Sequence, residues 1–237
     1  MKWALPLLSV LLCVYLLAFP VRLRPEQELK PVWAVDVGRD PVARPSGETE
    51  GTRVPFVLGD RFGYLGSQGD LLLQSQKIHG IAIDSDRFIN YSSVSGNLVV
   101  QNSSGDVTDT VEVRGYPILI DGRLLLISTN RAELAEITDA GEIAWKREYA
   151  AVITDLDSQN NVLVVGLLDS RAELLDFNGD VTLELDLMGS RINAVYGCAL
   201  SSAASLLAVI HGIDPQYITI MDLREDGTDL TEVVLRN

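Results

Sequence analysis

Two histidines, two cysteines and a few aspartate clusters are the groups in this 237-residue chain whose chemistry could suggest a reaction. His79 and His211 stand more than 130 residues apart, each followed by glycine. Neither has a second His or Cys at metal-ligand spacing, so both read as structural or surface groups. Asp155-Leu156-Asp157-Ser158-Gln159-Asn160 hints at an oxygen-rich calcium loop. The central glycine and closing glutamate of such a loop are missing, and a hairpin turn is the better reading. Asp84-Ser85-Asp86 is a weaker version of the same pattern. Ser201 and Ser202 lack the Gly-x-Ser-x-Gly elbow of a serine nucleophile. No phosphate loop or dinucleotide fingerprint occurs. Asn90-Tyr91-Ser92 and Asn102-Ser103-Ser104 match glycosylation sequons, which matter only in a eukaryotic secretory route. Cys13 lies in an apolar N-terminal segment, and Cys198 reads as a small buried hydrophobe in a strand. No catalytic, cofactor-binding or metal residue is assigned; the expectation is a non-enzymatic protein without a cofactor.

The elements around these groups are more informative. Gly69, Gly105, Gly141, Gly179 and Gly227 recur at intervals of 36, 36, 38 and 48 residues. Each sits in a mostly polar turn between two short apolar runs. A period near 40 residues built from short strands is the signature of β-propeller blades. In the clearest unit the strands are predicted at 118–120, 124–128, 133–137 and 143–147, with a tight hairpin at Asp121-Gly122. The next unit repeats them at 151–154, 162–166, 173–176 and 181–187. Arg131-Ala132-Glu133-Leu134 recurs as Arg171-Ala172-Glu173-Leu174, and aspartates follow the first strands at Asp84, Asp121 and Asp157. A last unit spans 194–235, a fourth covers 78–113, and a partial one runs from 54 to 75. Val32-Trp33-Ala34-Val35-Asp36-Val37 reads as a strand able to complete the partial blade. The fold predicted is all-β: a propeller of about five four-stranded blades, closed or left as an open arc. An open arc would leave an apolar patch at each end.

Two stretches resemble known propeller families. Ala135-Glu136-Ile137-Thr138-Asp139-Ala140-Gly141-Glu142-Ile143-Ala144-Trp145 resembles the repeat of quinoprotein-like (PQQ-type) propellers. Ala199-Leu200-Ser201 with 206–209 and 218–223 is similar to a WD40-type blade. The resemblance implies a propeller of the WD40/quinoprotein-like kind, a fold whose envelope members are commonly assembly scaffolds. The tryptophan of the repeat is present once; the matching positions hold Leu73, Asp109 and Leu183. No quinone site is therefore expected.

Composition and the N-terminus complete the expectation. Trp3 to Val21 carries no charge over 19 residues, enough for a helix of about 28 Å, close to the thickness of bilayer hydrocarbon. No Ala-x-Ala cleavage site follows, so residues 1–21 are predicted to be a transmembrane anchor or an uncleaved signal, with the repeats outside the cytoplasm. Residues 22–52, rich in Pro, Gly and charge, read as a linker, and 53–237 as the repeat domain. The net charge of −14 and the lack of Lys/Arg clusters argue against a nucleic-acid partner. The loops joining second to third strands, and fourth strands to the next first strand, share one end of a propeller. Arg131, Arg171, Tyr149, Arg191, Asp214 and Tyr217 are accordingly predicted to form an interaction face for a protein partner. The function expected is a membrane-anchored protein-interaction scaffold in the cell envelope. The alternatives are a propeller with a ligand-binding or enzymatic central pocket, or a fragment of a longer propeller.

Overall fold

The computed structural model describes residues 33–37, 52–92, 95–224 and 230–235. The chain divides into two units, Met1–Ala34 and Val35–Asn237. Of the first, only Trp33 and Ala34 are described, so the predicted anchor lies outside the described residues. No helix among the described residues is long and apolar enough to cross a membrane.

The second unit is built from antiparallel sheets that follow one another in sequence. Blade 1 contains β1 (Arg53–Leu58), β2 (Arg61–Gly66) and β3 (Leu71–Gln76). Blade 2 contains β4 (Gly80–Ile83), β5 (Arg87–Tyr91), β6 (Ser95–Asn102) and β7 (Val107–Arg114). Blade 3 contains β8 (Tyr116–Ile120), β9 (Arg123–Ile127), β10 (Glu133–Ile137) and β11 (Ile143–Glu148). Blade 4 contains β12 (Ile153–Gln159), β13 (Val162–Leu167), β14 (Arg171–Leu175) and β15 (Val181–Asp186). Blade 5 contains β16 (Ile192–Leu200), β17 (Leu206–Ile213), β18 (Gln216–Asp222) and β19 (Leu230–Leu235). The second and third strands are the apolar ones: β9 is buried along its length, and β13 and β14 nearly so. They lie mid-sheet with a neighbouring blade available to each face, which is why Leu-Leu-Leu-Ile and Val-Leu-Val-Val read as continuous apolar runs. The fourth strands β7, β11 and β15 are largely exposed.

The glycine turns connect third to fourth strands. Gly69, Gly105, Gly141 and Gly179 adopt φ of 84°, 92°, 78° and 81°, in the left-handed region that favours glycine. Each donates its N–H to the carbonyl three residues earlier, on Gly66, Asn102, Thr138 and Asp176. Gly227 lies outside the described residues.

Blade 1 is the partial blade expected over 54–75, with three strands among the described residues. Its glycine turn joins β2 to β3, as Gly105 joins β6 to β7. The three strands of blade 1 therefore correspond to the second, third and fourth of the others, and no first strand for it occurs among the described residues. Residues 33–37 are not a strand, which corrects the expectation that they complete this blade.

Each core cluster straddles one blade seam. Phe62, Tyr64 and Leu73 meet Phe88 between blades 1 and 2. Ile89 and Val100 meet Leu124 and Ile137 between blades 2 and 3. Leu125 and Leu134 meet Ile153, Leu163 and Leu175 between blades 3 and 4. Val164 and Leu174 meet Val209, Leu207 and Met221 between blades 4 and 5. The first strands touch across seams, β4 with β8 and β12 with β16, and among the described residues no comparable contact joins blade 1 to blade 5. The registers place Leu206, Ala208, Ile210, Ile218, Ile220 and Val233 on the face of blade 5 turned away from blade 4. Leu206, Ile210, Ile220 and Val233 are exposed there.

Candidate functional site

The six residues predicted as an interaction face lie at the ends of strands or in the loops joining second to third and fourth to first strands. Arg131 sits in the turn between β9 and β10 at φ 57°. It is exposed, and its guanidinium makes no ion pair among the described residues. Arg171 opens β14 and is held by local carboxylates: Asp169 at 2.8 Å, Glu184 at 3.5 Å and Glu173 at 3.9 Å. Arg191 and Asp214 pair at 3.1 Å, both well exposed. Tyr217 is half-buried, stacked on the His211 ring at 5.4 Å. Tyr149 does not fit the expected face: it is buried in the core between blades 3 and 4. Burial also pushes its hydroxyl pKa up, so the ring is packing, not a docking group.

The other expectations resolve similarly. Asp155 and Asp157 lie within β12, not in a turn. Their carboxylates accept the N–H groups of Cys198 (2.9 Å) and Leu200 (2.7 Å) on β16, stitching blade 4 to blade 5. No group of three or more metal-capable side chains occurs among the described residues. Burial raises the Cys198 thiol pKa far from the reactive range. His79 is exposed, whereas His211 is fully buried.

The opposite end of the blades carries a network that no local motif announces. Arg53, Arg87 and Arg123 open β1, β5 and β9, and the registers make these positions equivalent. Each reaches the glycine turn of the following blade. Arg53 donates to the Ser103 hydroxyl. Arg87 donates to Asp139 at 3.0 Å and to the Gly122 carbonyl at 2.8 Å. Arg123 reaches the Phe177 carbonyl at 3.5 Å. Blade 4 has Val162 at this position, and the series ends there.

Arg123 forms the most elaborate of these latches. Its Nη2 donates to Glu136 Oε2 at 2.5 Å, and the same oxygen accepts the Trp145 indole N–H at 2.7 Å. The guanidinium carbon lies 5.8 Å from the Trp145 ring centre and 5.5 Å from that of Phe177, within cation–π range of both. Arg123 is 5% exposed, and its Nε and Nη1 have no hydrogen-bond partner among the described residues. These groups border an open cleft of about 540 Å³, lined also by Arg87, Asp121, Asp139, Asn161 and Asn178. Asp121 Oδ2 accepts the Asn161 N–H at 3.1 Å. Gly179 makes the geometry possible, because a Cβ there would lie 2.5 Å from the Trp145 ring.

Two signals could have located this cleft from sequence. One is the arginine spacing of 34 and 36 residues. The other is the position of Glu136 and Trp145, cross-strand partners where the other blades pair Tyr64 with Leu73, Val100 with Asp109 and Leu174 with Leu183.

Comparison with known proteins agrees with this architecture. An uncharacterised protein of Treponema pallidum (strain Nichols) is 22% identical over 224 residues, covering 92% of this chain and 59% of the relative. This chain thus spans about three fifths of the length of the curated relative it matches. Among solved structures, Hsv2 of Kluyveromyces lactis aligns with a TM-score of 0.57 at 11% identity, covering 75% of this chain and 60% of that one. Hsv2 of K. marxianus gives 0.57 at 12%, covering 79% and 66%. At such identities the likeness speaks to fold alone. A family model described as a beta-propeller protein matches residues 2–232, nearly the whole sequence, and the chain belongs to that family.

Proposed function

We propose that this protein is a membrane-anchored, non-enzymatic propeller that holds a protein partner at the cell envelope. The uncharged stretch from Trp3 to Val21 tethers it, and residues 22–52 space the blades from the bilayer on the side away from the cytoplasm. Tethering raises the effective concentration of the docking face at the membrane. The observation that carries the reading is the loop end bearing Arg131, Arg191, Asp214 and Tyr217. Arg131 is exposed without an ion pair among the described residues, and the Arg191–Asp214 pair is open to solvent. Arginine and tyrosine are the residue types that anchor protein interfaces. Arg171, saturated by its own carboxylates, contributes less than Arg131.

The test is crosslinking and affinity recovery of the full chain in native membranes. One stoichiometric envelope partner is expected. It is lost in the double variant Arg131→Glu with Arg191→Glu at unchanged Tm, and retained in Arg171→Glu. Undiminished recovery by the double variant, or turnover of a small substrate by the purified chain, overturns the reading.

A further inference from the structure

We propose that the cleft between the third and fourth blades binds a neutral saccharide, stacked on Phe177 and hydrogen-bonded through Asp121, Asp139 and the amides of Asn161 and Asn178. This site stands at the opposite end of the blades from the docking face and is independent of it. A cleft of about 540 Å³ falls within the size range of small-molecule sites.

Charge selects the class of ligand. Arg123 is neutralised by Glu136, and Arg87 by Asp139. Asp121 is the remaining acid on the wall. An anion finds both guanidiniums already paired and a carboxylate facing it. A cation finds only Asp121 without an ion pair among the described residues, on walls that also carry two guanidiniums; Arg123 Nε and Nη1 are closed off from the cleft by burial and take no part. Arginine only donates, and an ionised carboxylate only accepts. The walls present both kinds side by side, with the amides of Asn161 and Asn178 between them. A hydroxyl both donates and accepts, so a polyol is the chemistry that meets every group.

The aromatic wall supplies the other half of saccharide recognition. Phe177 is 55% exposed at the rim, and its apolar face matches the C–H face of a pyranose ring. The turn that carries it approaches Trp145 so closely that only glycine fits at 179. The seam between blades 4 and 5 has Val162, Leu174 and Leu183 at the positions of Arg123, Glu136 and Trp145, packed as ordinary core. The polar cleft is therefore a local departure from what the repeat needs to stack.

The test titrates the full chain, in a sugar-free detergent, with maltose, cellobiose and chitobiose, and with glucuronate and inorganic phosphate as charged probes. Calorimetry and saturation-transfer NMR read binding. At least one neutral disaccharide is expected to bind with Kd of about 1 mM or tighter. Phe177→Ala, an exposed position whose loss leaves the fold intact, weakens it at least about tenfold at unchanged Tm, a loss of about 1.4 kcal/mol. The proposal fails if no neutral disaccharide binds at about 10 mM, well above that Kd. It fails equally if Phe177→Ala binds as well as the parent, or if a charged probe binds in preference and is lost in that variant.

Discussion

The seam between blades 3 and 4 and the seam between blades 4 and 5 are made from equivalent strand positions and filled in opposite ways. The first buries an arginine, a glutamate and an indole N–H in one network. The second fills the same three positions with Val162, Leu174 and Leu183. Blade stacking therefore requires only apolar side chains of adequate volume, and the charged filling must be explained by something other than stacking. Taking an ion pair out of water is costly, and aliphatic replacements of similar volume are often as stable or more so. We take this buried pair as one wall of the proposed cleft, since cohesion between blades does not call for it.

The sharpest way to break the comparison is to remove one partner. Glu136→Ala leaves Arg123 buried and unpaired, and a loss of about 3–5 kcal/mol is expected in denaturant unfolding. The triple change Arg123→Val, Glu136→Leu and Trp145→Leu copies the other seam into this one. It is expected to be neutral or stabilising by about 1–4 kcal/mol while the cleft loses its polar wall. If the triple variant proves as damaging as Glu136→Ala, the two seams are not interchangeable and the comparison collapses.

Gly179→Ala asks a smaller question at the same seam. The residue combines φ of 81° with a Cβ position 2.5 Å from the Trp145 ring. A cost of about 1–3 kcal/mol is expected, read as a drop in Tm. Gly122→Ala provides the contrast, because its φ of 72° is similar but nothing lies within 4 Å of the added carbon. Gly179→Ala should be the worse of the two.

The finest distinction concerns His211, on the face of blade 5 that packs toward blade 4. The ring is buried, bonded to Thr219 Oγ1 at 2.9 Å and stacked on Tyr217. Glu232 stands 3.7 Å away, and the Leu187 backbone also favours the charged form. Burial outweighs both and holds the pKa below the ordinary 6.5. The unfolded chain consequently takes up the proton first. The contribution of neutral His211 is complete above pH 6.5 and shrinks as pH falls through that value toward the folded pKa. Tm measured against pH should show this decline in the parent, and His211→Gln should flatten it between pH 7 and the folded pKa. An identical pH profile in the two proteins would exclude a role for this ring.

Much of the blade pattern was legible because it follows local rules. Strand runs such as Leu124 to Ile127 and Val162 to Val165 are apolar at every residue, since a mid-sheet strand in a stack is covered on both faces. The glycine turns were legible because a left-handed φ calls for glycine. Asp155 to Asn160 reads as a turn in sequence because alternate aspartates resemble one, whereas in the fold the adjacent strand donates to Asp155 and Asp157. The place of Tyr149 after a fourth strand points to a surface loop, while in the fold the neighbouring blade covers its ring.

The sequence by itself determined the period, the strands and the turns, because hydrophobic runs and left-handed glycines act over a few residues. Only the tertiary structure decided that Arg123, Glu136, Trp145 and Phe177 share one cleft. They come from three strands and a turn on two blades, spread from position 123 to 177. Their meeting depends on the register between strands and the distance between sheets. Those quantities are fixed by the packing of whole blades, and no short stretch of chain encodes them.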